Sequence, residues 1–540
     1  MFSKVIPALF SALFVFSTAL VAQNEARPKL VIGMVVDQMR YDYLTRYEAH
    51  YSENGFKRIL REGFDCRNLH YNYGPTFTGP GHASIFTGTT PRYHGIIAND
   101  WYMRDEGRTM YCSEDRSVRS VGQQTPKGQM SPRNMIATTV TDELKLHSGG
   151  RSKTIAISLK DRGATLPGGN TAHAAYWMTD KWITSSFYMD SLPQWVQDFN
   201  EKLMDFVPDV WEPLKPIEAY VESAPDDNPW EHTFRGKDKP IFPYPLKELM
   251  AENGGMNMIK STPFGNTITT ALAREAILNE QLGKGEVTDF LTVSYSSPDY
   301  LGHMLGPQAV EIQDNYMRFD LELAEFLTFL DEEYGAGNYL LFMTADHGGG
   351  WVPAHLKELG VPAGYISGKL ILSAAREHIT ERFGIKNAID NYSNEQFFLN
   401  LGAIETSGHS AAQIARELAD FVLRFEGVAE AYTAWDFRTH EYTQGIVHLI
   451  QNGYNHKRSG DVMLITEPAW MEYGSKGTTH GSPWNYDTHV PALFFGWGVK
   501  PGYTDERLSI TDIAPTVSSL LRISFPNAAT GKPIRAITEE

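Results

Sequence analysis

Four short stretches of the sequence carry aspartate and histidine residues in spacings that suit a metal site. The candidate ligands are Asp37, Asp299, His303, Asp346, His347 and His480. Carboxylates and imidazoles form the ligand set of catalytic zinc, which takes three protein ligands and keeps one position open. Three aspartates and three histidines therefore predict a site for two zinc ions, although the same donors also suit manganese, iron or cobalt.

Each stretch has a simpler interpretation when it is taken alone. An aspartate that follows a strand, such as Asp37, is often a helix cap, and Asp346 could cap a turn before the three glycines that follow His347. Asp299 and His303 are four residues apart, which places both side chains on one face if the segment is helical. The recurrence of such residues after successive predicted strands favours the metal site.

A hydroxyl group accompanies these ligands. Thr78 stands just before Gly-Pro-Gly, and Pro80 is typical of a first helical turn. Thr78 is therefore predicted at a helix N-terminus, where backbone amides favour anions. It could act as a helix cap or as a nucleophile whose alkoxide a metal ion stabilises, and the two roles are compatible. His82, one helical turn later, is expected to be structural.

Three further residues could bind a phosphate group. Lys160 and Arg162 follow a predicted strand and stand two residues apart, so both point the same way if the extended geometry continues. Arginine offers two parallel hydrogen bonds to phosphoryl oxygens and lysine offers a point charge. The alternative is an exposed basic pair on a loop. Asn99 could donate an amide hydrogen bond to the same group, or it could be a turn residue.

Continuous apolar runs precede most of these residues, and such runs suit strands that are buried on both faces of a parallel sheet. The predicted strands are 30–36, 154–158, 290–295, 339–343, 462–465 and 490–495, and the clearest predicted helices are 267–281, 310–333 and 410–425. Strands that alternate with helices predict an α/β fold with a largely parallel central sheet sandwiched by helices. Ligands bind beyond the carboxyl ends of such strands, where the polar residues lie.

Composition limits the domain organisation and the partners. The chain has 540 residues, 42% of them hydrophobic, so it can bury a large core. Segments 167–260 and 350–460 break the alternation and are predicted to be insertions that cover one catalytic domain, 23–540. The net charge of −17, without any basic run, argues against nucleic acid or an anionic membrane as a partner. An anion would need a local positive site such as metal ions.

The N-terminal segment predicts export. Residues 1–22 contain Lys4, an apolar run and Ala22 before a polar stretch, as in a secretory signal peptide. An uncleaved anchor is the alternative, but cleavage would give a periplasmic or secreted protein with no membrane segment. In that compartment, Cys66 and Cys112 could form one disulfide or remain two buried thiols.

Taken together, these motifs resemble the alkaline phosphatase superfamily, and most closely the bacterial PafA-type alkaline phosphatases with a threonine nucleophile. The resemblance runs through essentially the whole chain after the signal and rests on FTGPGH around Thr78, Asn99, SLKDRGA, SPDYLGH, TADHGG and TTHGSPWNYDTHVP. It implies one zinc ion held by Asp299, His303 and His480, and another held by Asp37, Asp346 and His347 with the Thr78 oxygen at its open position. His489 is the rival of His480, which we prefer because it is followed by glycine.

The same resemblance implies the hydrolysis of phosphate monoesters through a phospho-Thr78 intermediate, with Asn99, Lys160 and Arg162 on the phosphoryl group. We expect a monomer that acts on small molecules. The alternative is a nucleotide pyrophosphatase or phosphodiesterase on the same metal core. A phosphonoacetate hydrolase and a phosphoglycerate-type mutase are remoter alternatives. A sulfatase is disfavoured because TGPGH replaces the C/S-x-P-x-R segment. A binding module with structural metals would favour closed Cys/His shells, which this chain lacks.

Overall fold

Ten strands form the central sheet in the computed structural model, which describes residues 27–539. The predicted signal segment 1–22 therefore lies outside the described residues. The strands are β1 Leu30–Val36, β2 Phe64–Cys66, β3 Leu69–His70, β4 Asp100–Met103, β5 Arg108–Tyr111, β6 Ser120–Val121, β7 Thr154–Ser158, β8 Ala174–Met178, β9 Trp182–Ser185, β10 Asp289–Tyr295, β11 Tyr339–Thr344, β12 Gly364–Tyr365, β13 Ile389–Ser393, β14 Gln396–Leu399, β15 Val428–Thr433, β16 Val462–Thr466, β17 Trp470–Met471, β18 Ala492–Gly496, β19 Gly502–Thr504 and β20 Leu508–Ser509.

The helices lie between these strands and cover the sheet. They are α1 Asp42–Arg46, α2 Phe56–Glu62, α3 Thr78–Thr87, α4 Pro91–His94, α5 Val140–His147, α6 Asp161–Gly168, α7 Gln194–Glu201, α8 Leu246–Glu252, α9 Met256–Ile259, α10 Phe264–Asn279, α11 Ser297–Leu305, α12 Val310–Tyr334, α13 Pro353–Glu358, α14 Gly368–Phe383, α15 Leu401–Thr406, α16 Ala411–Val422, α17 Ala434–Thr439, α18 Gly445–Gly453, α19 Asn485–Thr488, α20 Ile513–Leu521 and α21 Arg535–Thr538. No helix among residues 27–539 is both long enough and apolar enough to cross a membrane.

The central sheet runs in the order β19-β2-β18-β11-β1-β10-β7-β8-β9-β6. Its middle strands, from β11 through β1, β10 and β7 to β8, pair in parallel. Every residue of β1 is buried, as the unbroken apolar run requires for a strand covered on both faces. Antiparallel pairs flank this block, with β18 on β11 and β9 on β8. The α/β prediction is confirmed.

One predicted strand forms but joins a different sheet. The run 462–465 is β16, which pairs antiparallel with β14 and β15 in a four-stranded sheet. This sheet has its own hydrophobic cluster, which includes Phe397, Leu418 and Val462. His480 thus follows a strand of the smaller sheet, whereas the other ligand stretches follow strands of the central sheet. An apolar run predicts a buried strand, but it carries no information about which sheet the strand joins.

The two segments predicted as insertions differ in structure. Segment 350–460 supplies most of the four-stranded sheet and its helices. Segment 167–260 begins with β8 and β9, which belong to the central sheet, and only its later part consists of helices and loops. The division of the chain into a core and two insertions stays a prediction.

The two cysteines are free and buried. Cys66 packs in the main core, whereas Cys112 packs in a separate cluster with Ala98 and Trp101. Of the two alternatives left open by the sequence, the structure therefore shows two buried thiols and no disulfide.

Candidate active site

Three neighbouring strands position most of the candidate ligands. β1 ends at Val36 directly before Asp37, β11 ends shortly before Asp346 and His347, and β10 leads into α11. Since β11, β1 and β10 are adjacent and parallel, their carboxyl ends meet at one edge of the sheet. The ligand stretches that follow these strands are therefore brought together as expected.

The first group of possible metal ligands consists of Asp299, His303 and His480. α11 places Asp299 and His303 one helical turn apart, and Asp299 Oδ1 lies 3.2 Å from His303 Nε2 and 3.6 Å from His480 Nε2. The other ring nitrogens are engaged, because His303 Nδ1 donates to the Thr478 carbonyl at 2.9 Å and His480 Nδ1 to the Thr76 carbonyl at 2.7 Å. These bonds direct both Nε2 atoms towards Asp299, as metal-binding histidines require.

The second group contains Asp37, Asp299 and His347, so Asp299 belongs to both groups. His347 Nε2 lies 3.5 Å from Asp37 Oδ1 and 3.6 Å from Asp346 Oδ2, while its Nδ1 donates to the Gly348 carbonyl at 2.8 Å. Asp346 is thus near this group. The rings of His347 and His480 stack with their centroids 3.4 Å apart, so the two groups adjoin.

The charges at this site are closely coupled. Burial and the neighbouring Asp299 raise the pKa of Asp37, and burial and Asp37 raise the pKa of Asp346 well above its usual range. Burial opposes the charge of Asp299 as well, but His303 and Lys160 hold its pKa well below the usual value. Burial lowers the pKa of His347 to about 3, so its imidazole is neutral and able to bind a metal ion.

Thr78 is the first residue of α3 and lies beside the second ligand group. Its Oγ1 is 3.4 Å from His347 Nε2 and 3.4 Å from Arg162 Nη2. The side chain is buried, and its hydroxyl contacts these two side chains rather than a backbone amide of the helix. The hydroxyl therefore faces the candidate ligands, and the interpretation of Thr78 as only a helix cap has no hydrogen bond to support it.

The predicted phosphate-binding residues lie around this hydroxyl. Asn99 Oδ1 accepts a hydrogen bond from the Gly79 amide at 2.8 Å, which leaves its Nδ2 free to donate elsewhere. Lys160 Nζ lies 2.7 Å from Asp37 Oδ2 and 2.5 Å from Asp299 Oδ2, so its ammonium joins the two ligand groups. Lys160 and Arg162 do not continue in the extended conformation on which their common direction was predicted, because α6 begins at Asp161. Helical geometry nevertheless brings Arg162 to Thr78.

Sequence reasoning missed two residues that support the site. Gln38 Nε2 donates to Asp299 Oδ1 at 2.8 Å, and its backbone amide donates to Asp346 Oδ1 at 3.2 Å. Its φ of 63° is rare for a residue other than glycine and marks a constrained turn after β1. Tyr111, far away in sequence, accepts a hydrogen bond from Arg162 Nη1 at 3.1 Å. A sequence pattern signals neither contact.

His82 and His489, the other two histidines of the motifs described above, contact groups outside the two ligand groups. His82 is fully buried, with Nδ1 donating to the Thr78 carbonyl at 2.9 Å and Nε2 lying 2.8 Å from Ser294 Oγ. These bonds agree with the structural role expected for it. His489 Nε2 donates to the Arg67 carbonyl at 2.8 Å, and its ring stacks on that of His70. Neither ligand group contains His489.

Comparison with known proteins assigns the family. The model of the type I phosphodiesterase / nucleotide pyrophosphatase family matches residues 31–491. Alkaline phosphatase PhoV of Synechococcus elongatus is 44% identical and covers 95% of this chain and 93% of its own length. The crystal structure of alkaline phosphatase PafA matches with a TM-score of 0.91 at 41% identity, covering 95% of this chain and 99% of PafA. The chain belongs to the PafA-type alkaline phosphatases.

Another relative of this PafA-type chain carries a different name. A protein of Myroides odoratus called a calcium-transporting ATPase is 45% identical over 97% of this chain and 97% of its own length. Membership of the alkaline phosphatase superfamily implies metal cofactors, and the two ligand groups of this PafA-type chain are candidate sites for them.

Proposed function

We propose that this PafA-type alkaline phosphatase hydrolyses phosphate monoesters through a phosphothreonine at Thr78, with two zinc ions held by the two ligand groups. The observation that carries the proposal is the meeting of a hydroxyl, a guanidinium and the two ligand groups at one edge of the sheet. Thr78 Oγ1 lies 3.4 Å from both Arg162 Nη2 and His347 Nε2. A nucleophile, an anion-binding group and metal ligands at one point are what phosphoryl transfer requires.

The donor set fits zinc. The proposed ligands of one ion are Asp299, His303 and His480, and those of the other are Asp37, Asp346 and His347. Asp37 Oδ1 and Asp346 Oδ2 are buried and accept no hydrogen bond from residues 27–539, so both are available to a metal ion. When bound, the two ions supply positive charge to the attacking and leaving oxygens. Two dications also give the acidic chain the local positive site that an anionic substrate needs.

The protein residues account for the transfer itself. Thr78 Oγ1 attacks phosphorus, so a bond from Oγ1 to phosphorus forms as the ester bond to the alcohol breaks. The hydroxyl proton of Thr78 passes to solvent, and the leaving alcohol takes up a proton from water. A water molecule then attacks the phosphorus, the bond from phosphorus to Oγ1 breaks, and phosphate is released, while a proton given up by the water restores the hydroxyl of Thr78.

Three side chains bind the phosphoryl oxygens in this proposal. Arg162 donates from its guanidinium beside Thr78, and the free amide nitrogen of Asn99, whose Oδ1 accepts from the Gly79 amide in the first turn of α3, donates as well. Lys160 adds a positive charge between Asp37 and Asp299. A monoester carries two negative charges on three free oxygens, whereas a diester carries one negative charge and a second ester group. These donors therefore favour the monoester over the diester.

The matching family model names phosphodiesterases and pyrophosphatases, so hydrolysis of diesters is the second candidate function. Kinetics with an aryl phosphate and with its methyl diester separate the two on the zinc-loaded enzyme. We expect kcat/KM to be higher for the monoester than for the diester by at least ~100-fold, because Arg162 and Lys160 neutralise the second negative charge of the monoester. A preference for the diester would refute the proposal. ATP is a useful third substrate, because its terminal phosphate also has three free oxygens.

Three further features belong to the same proposal. A single catalytic domain, 23–540, carries insertions at 167–260 and 350–460 that border the substrate site. The chain is exported by its segment 1–22 to the periplasm or the medium, and it acts as a monomer without nucleic acid or membrane as a partner. The net charge of −17 supports the exclusion of polyanions. Gel filtration and N-terminal sequencing of the exported protein test the oligomeric state and the cleavage.

A further inference from the structure

The segment 481–487 carries a buried carboxylate that the proposed chemistry does not use. This segment runs from His480 into α19, and Asp487 within it is 0% exposed. Asp487 belongs to neither group of possible metal ligands. Because a buried polar group is unfavourable without hydrogen-bond partners, the partners of Asp487 indicate what it supports.

The side chain of Asp487 binds the beginning of this segment. Its Oδ2 accepts a hydrogen bond from the Ser482 amide at 2.8 Å and another from the Ser482 hydroxyl at 2.6 Å. The backbone of Ser482 is therefore fixed as well as its side chain. Ser482 comes two residues after His480, so the two bonds restrain the chain directly after that histidine. An aspartate outside both ligand groups thus supports a proposed ligand through one intervening turn.

The backbone at the end of the segment supports the other ligand group. The Asp487 carbonyl accepts a hydrogen bond from the Gly348 amide at 2.7 Å. The Tyr486 carbonyl accepts one from the Gly349 amide at 3.0 Å, and a Cβ atom on Gly348 would lie 2.2 Å from the same carbonyl oxygen. The two stretches of chain therefore pack too closely for a side chain at position 348. Since His347 Nδ1 donates to the Gly348 carbonyl, this pairing restrains the ring of His347.

The segment also contacts the chain that precedes the proposed nucleophile. Thr76, two residues before it, donates its amide to the Gly481 carbonyl at 3.3 Å and its hydroxyl to the Ser482 carbonyl at 2.9 Å. The Thr76 carbonyl accepts from His480 Nδ1 at 2.7 Å, which directs Nε2 of that ring towards its ligand group. Ser482 is thus bonded to Thr76 on one side and to Asp487 on the other. The Asp487 side chain therefore restrains the turn that orients His480.

We propose that Asp487 is a positioning residue, whose carboxylate orients His480 by holding Ser482. This role rests on the proposed function, since Asp299, His303 and His480 must bind a zinc ion for it. Residues that orient a metal-binding histidine without touching the metal ion commonly change metal affinity by about 10- to 100-fold. The zinc ion of the other group should be insensitive to the Asp487 side chain, because backbone carbonyls support that group.

Zinc affinity of the full-length enzyme, measured by competition with a colorimetric chelator, tests this role without turnover. Asp487→Ala removes both hydrogen bonds to Ser482 and should weaken the binding of one of the two zinc ions by at least ~10-fold. The other ion should bind as in the wild type, because the carbonyls that hold Gly348 and Gly349 remain. Asp487→Asn keeps an oxygen acceptor at the same place and should restore the affinity to within ~3-fold of the wild type.

Asp436→Ala is the matched control for Asp487→Ala. Asp436 Oδ2 accepts from both the amide and the hydroxyl of Thr433, each at 2.8 Å, so it makes the same pair of bonds at the start of α17 and outside both ligand groups. Its loss should lower the unfolding midpoint while both zinc ions bind as in the wild type. Ser482→Ala removes one of the two bonds to Asp487, serves where Asp487→Ala fails to fold, and should weaken the same ion by ~3-fold.

Two results would overturn the role of Asp487 while the wild type binds two zinc ions: unchanged zinc affinity in Asp487→Ala, or an equal loss of affinity in Asp436→Ala. A wild type that binds no zinc would overturn the two-zinc site itself and this role with it, so the two failures are distinct. His480→Ala identifies the affected ion, because adding Asp487→Ala to it should cause no further loss of zinc if both changes act at one site. A further loss would place the effect on the other ligand group and contradict the assignment of Asp487 to His480.

Discussion

Arg162 Nη2 lies 3.4 Å from Thr78 Oγ1, so the guanidinium adjoins the proposed point of attack. Because the guanidinium pairs with the second negative charge of a monoester, Arg162→Ala should lower kcat/KM for an aryl phosphate by roughly 10- to 100-fold. The methyl diester should lose much less. Parallel kinetics with the two substrates measure this difference, and equal losses would contradict the role assigned to Arg162.

Thr78→Ala removes the proposed nucleophile while the proposed protein ligands of both ions remain. Turnover should nearly disappear, and zinc content measured by elemental analysis should stay close to that of the wild type. Thr78→Ser is the matched variant, because it keeps a hydroxyl at the start of α3 and should retain substantial activity. Loss of zinc from Thr78→Ala would show that Thr78 holds the site together and is not the nucleophile.

The parts of the site that sequence predicted depend on local patterns. β1 and β11 are largely apolar runs, and β10 mixes apolar with small polar residues but is buried throughout. Parallel pairing of these strands brings Asp37 and Asp346 to one edge of the sheet. The spacing of Asp299 and His303 implied one helical face, and α11 provides it.

The parts that sequence did not predict depend on contacts between distant segments. β16 joins the smaller sheet because of its partners β14 and β15, which its own residues do not specify. The support of Arg162 by Tyr111 likewise arises only when remote segments pack together. Sequence periodicity predicts the type and the buried face of a single helix or strand, but it does not predict which distant segments pair with it.

Tyr111→Phe tests whether Arg162 is held in place by a neighbour. The Tyr111 hydroxyl accepts from Arg162 Nη1 at 3.1 Å and donates to Asp161 Oδ1 at 2.6 Å. Its removal should raise KM for the monoester by about 3- to 10-fold, with a smaller change in kcat, because one hydrogen bond that orients Arg162 is lost.

The control for this variant is Tyr102→Phe, in the neighbouring strand β4, which should leave both kinetic constants unchanged. The diester should also be insensitive to Tyr111→Phe if the tyrosine acts through Arg162. A uniform loss with both substrates would indicate a general structural role for Tyr111.

His480→Ala and His489→Ala distinguish the two histidines of the last motif. His480 lies with Asp299 and His303, whereas His489 stacks on His70 away from both ligand groups. His480→Ala should lower zinc content by about one ion per chain, since a three-ligand site is left with two protein ligands. His489→Ala should retain both ions. The opposite pattern in elemental analysis would assign the ligand role to His489.

Glu322 predicts a pH dependence of stability that is separate from the metal site. Burial raises its pKa to about 7, although the hydroxyls of Thr267 and Thr270 oppose this shift. Because the pKa is higher in the folded chain than in the unfolded chain, the native state binds more protons between these two values. Its contribution to stability is therefore fully present below pH ~4.5 and is lost as the pH rises through about 7.

Glu322→Gln should remove this loss, because glutamine keeps the acceptor for Thr267 without a buried charge. Above pH ~8 the variant should be more stable than the wild type by about 2–3 kcal/mol, and near pH 5 the two should converge. Unfolding midpoints measured from pH 5 to pH 9 test this, with Glu332→Gln on the exposed face of the same helix as the control. A constant offset between Glu322→Gln and the wild type across that range would mean that Glu322 does not titrate there, and that the substitution acts through packing.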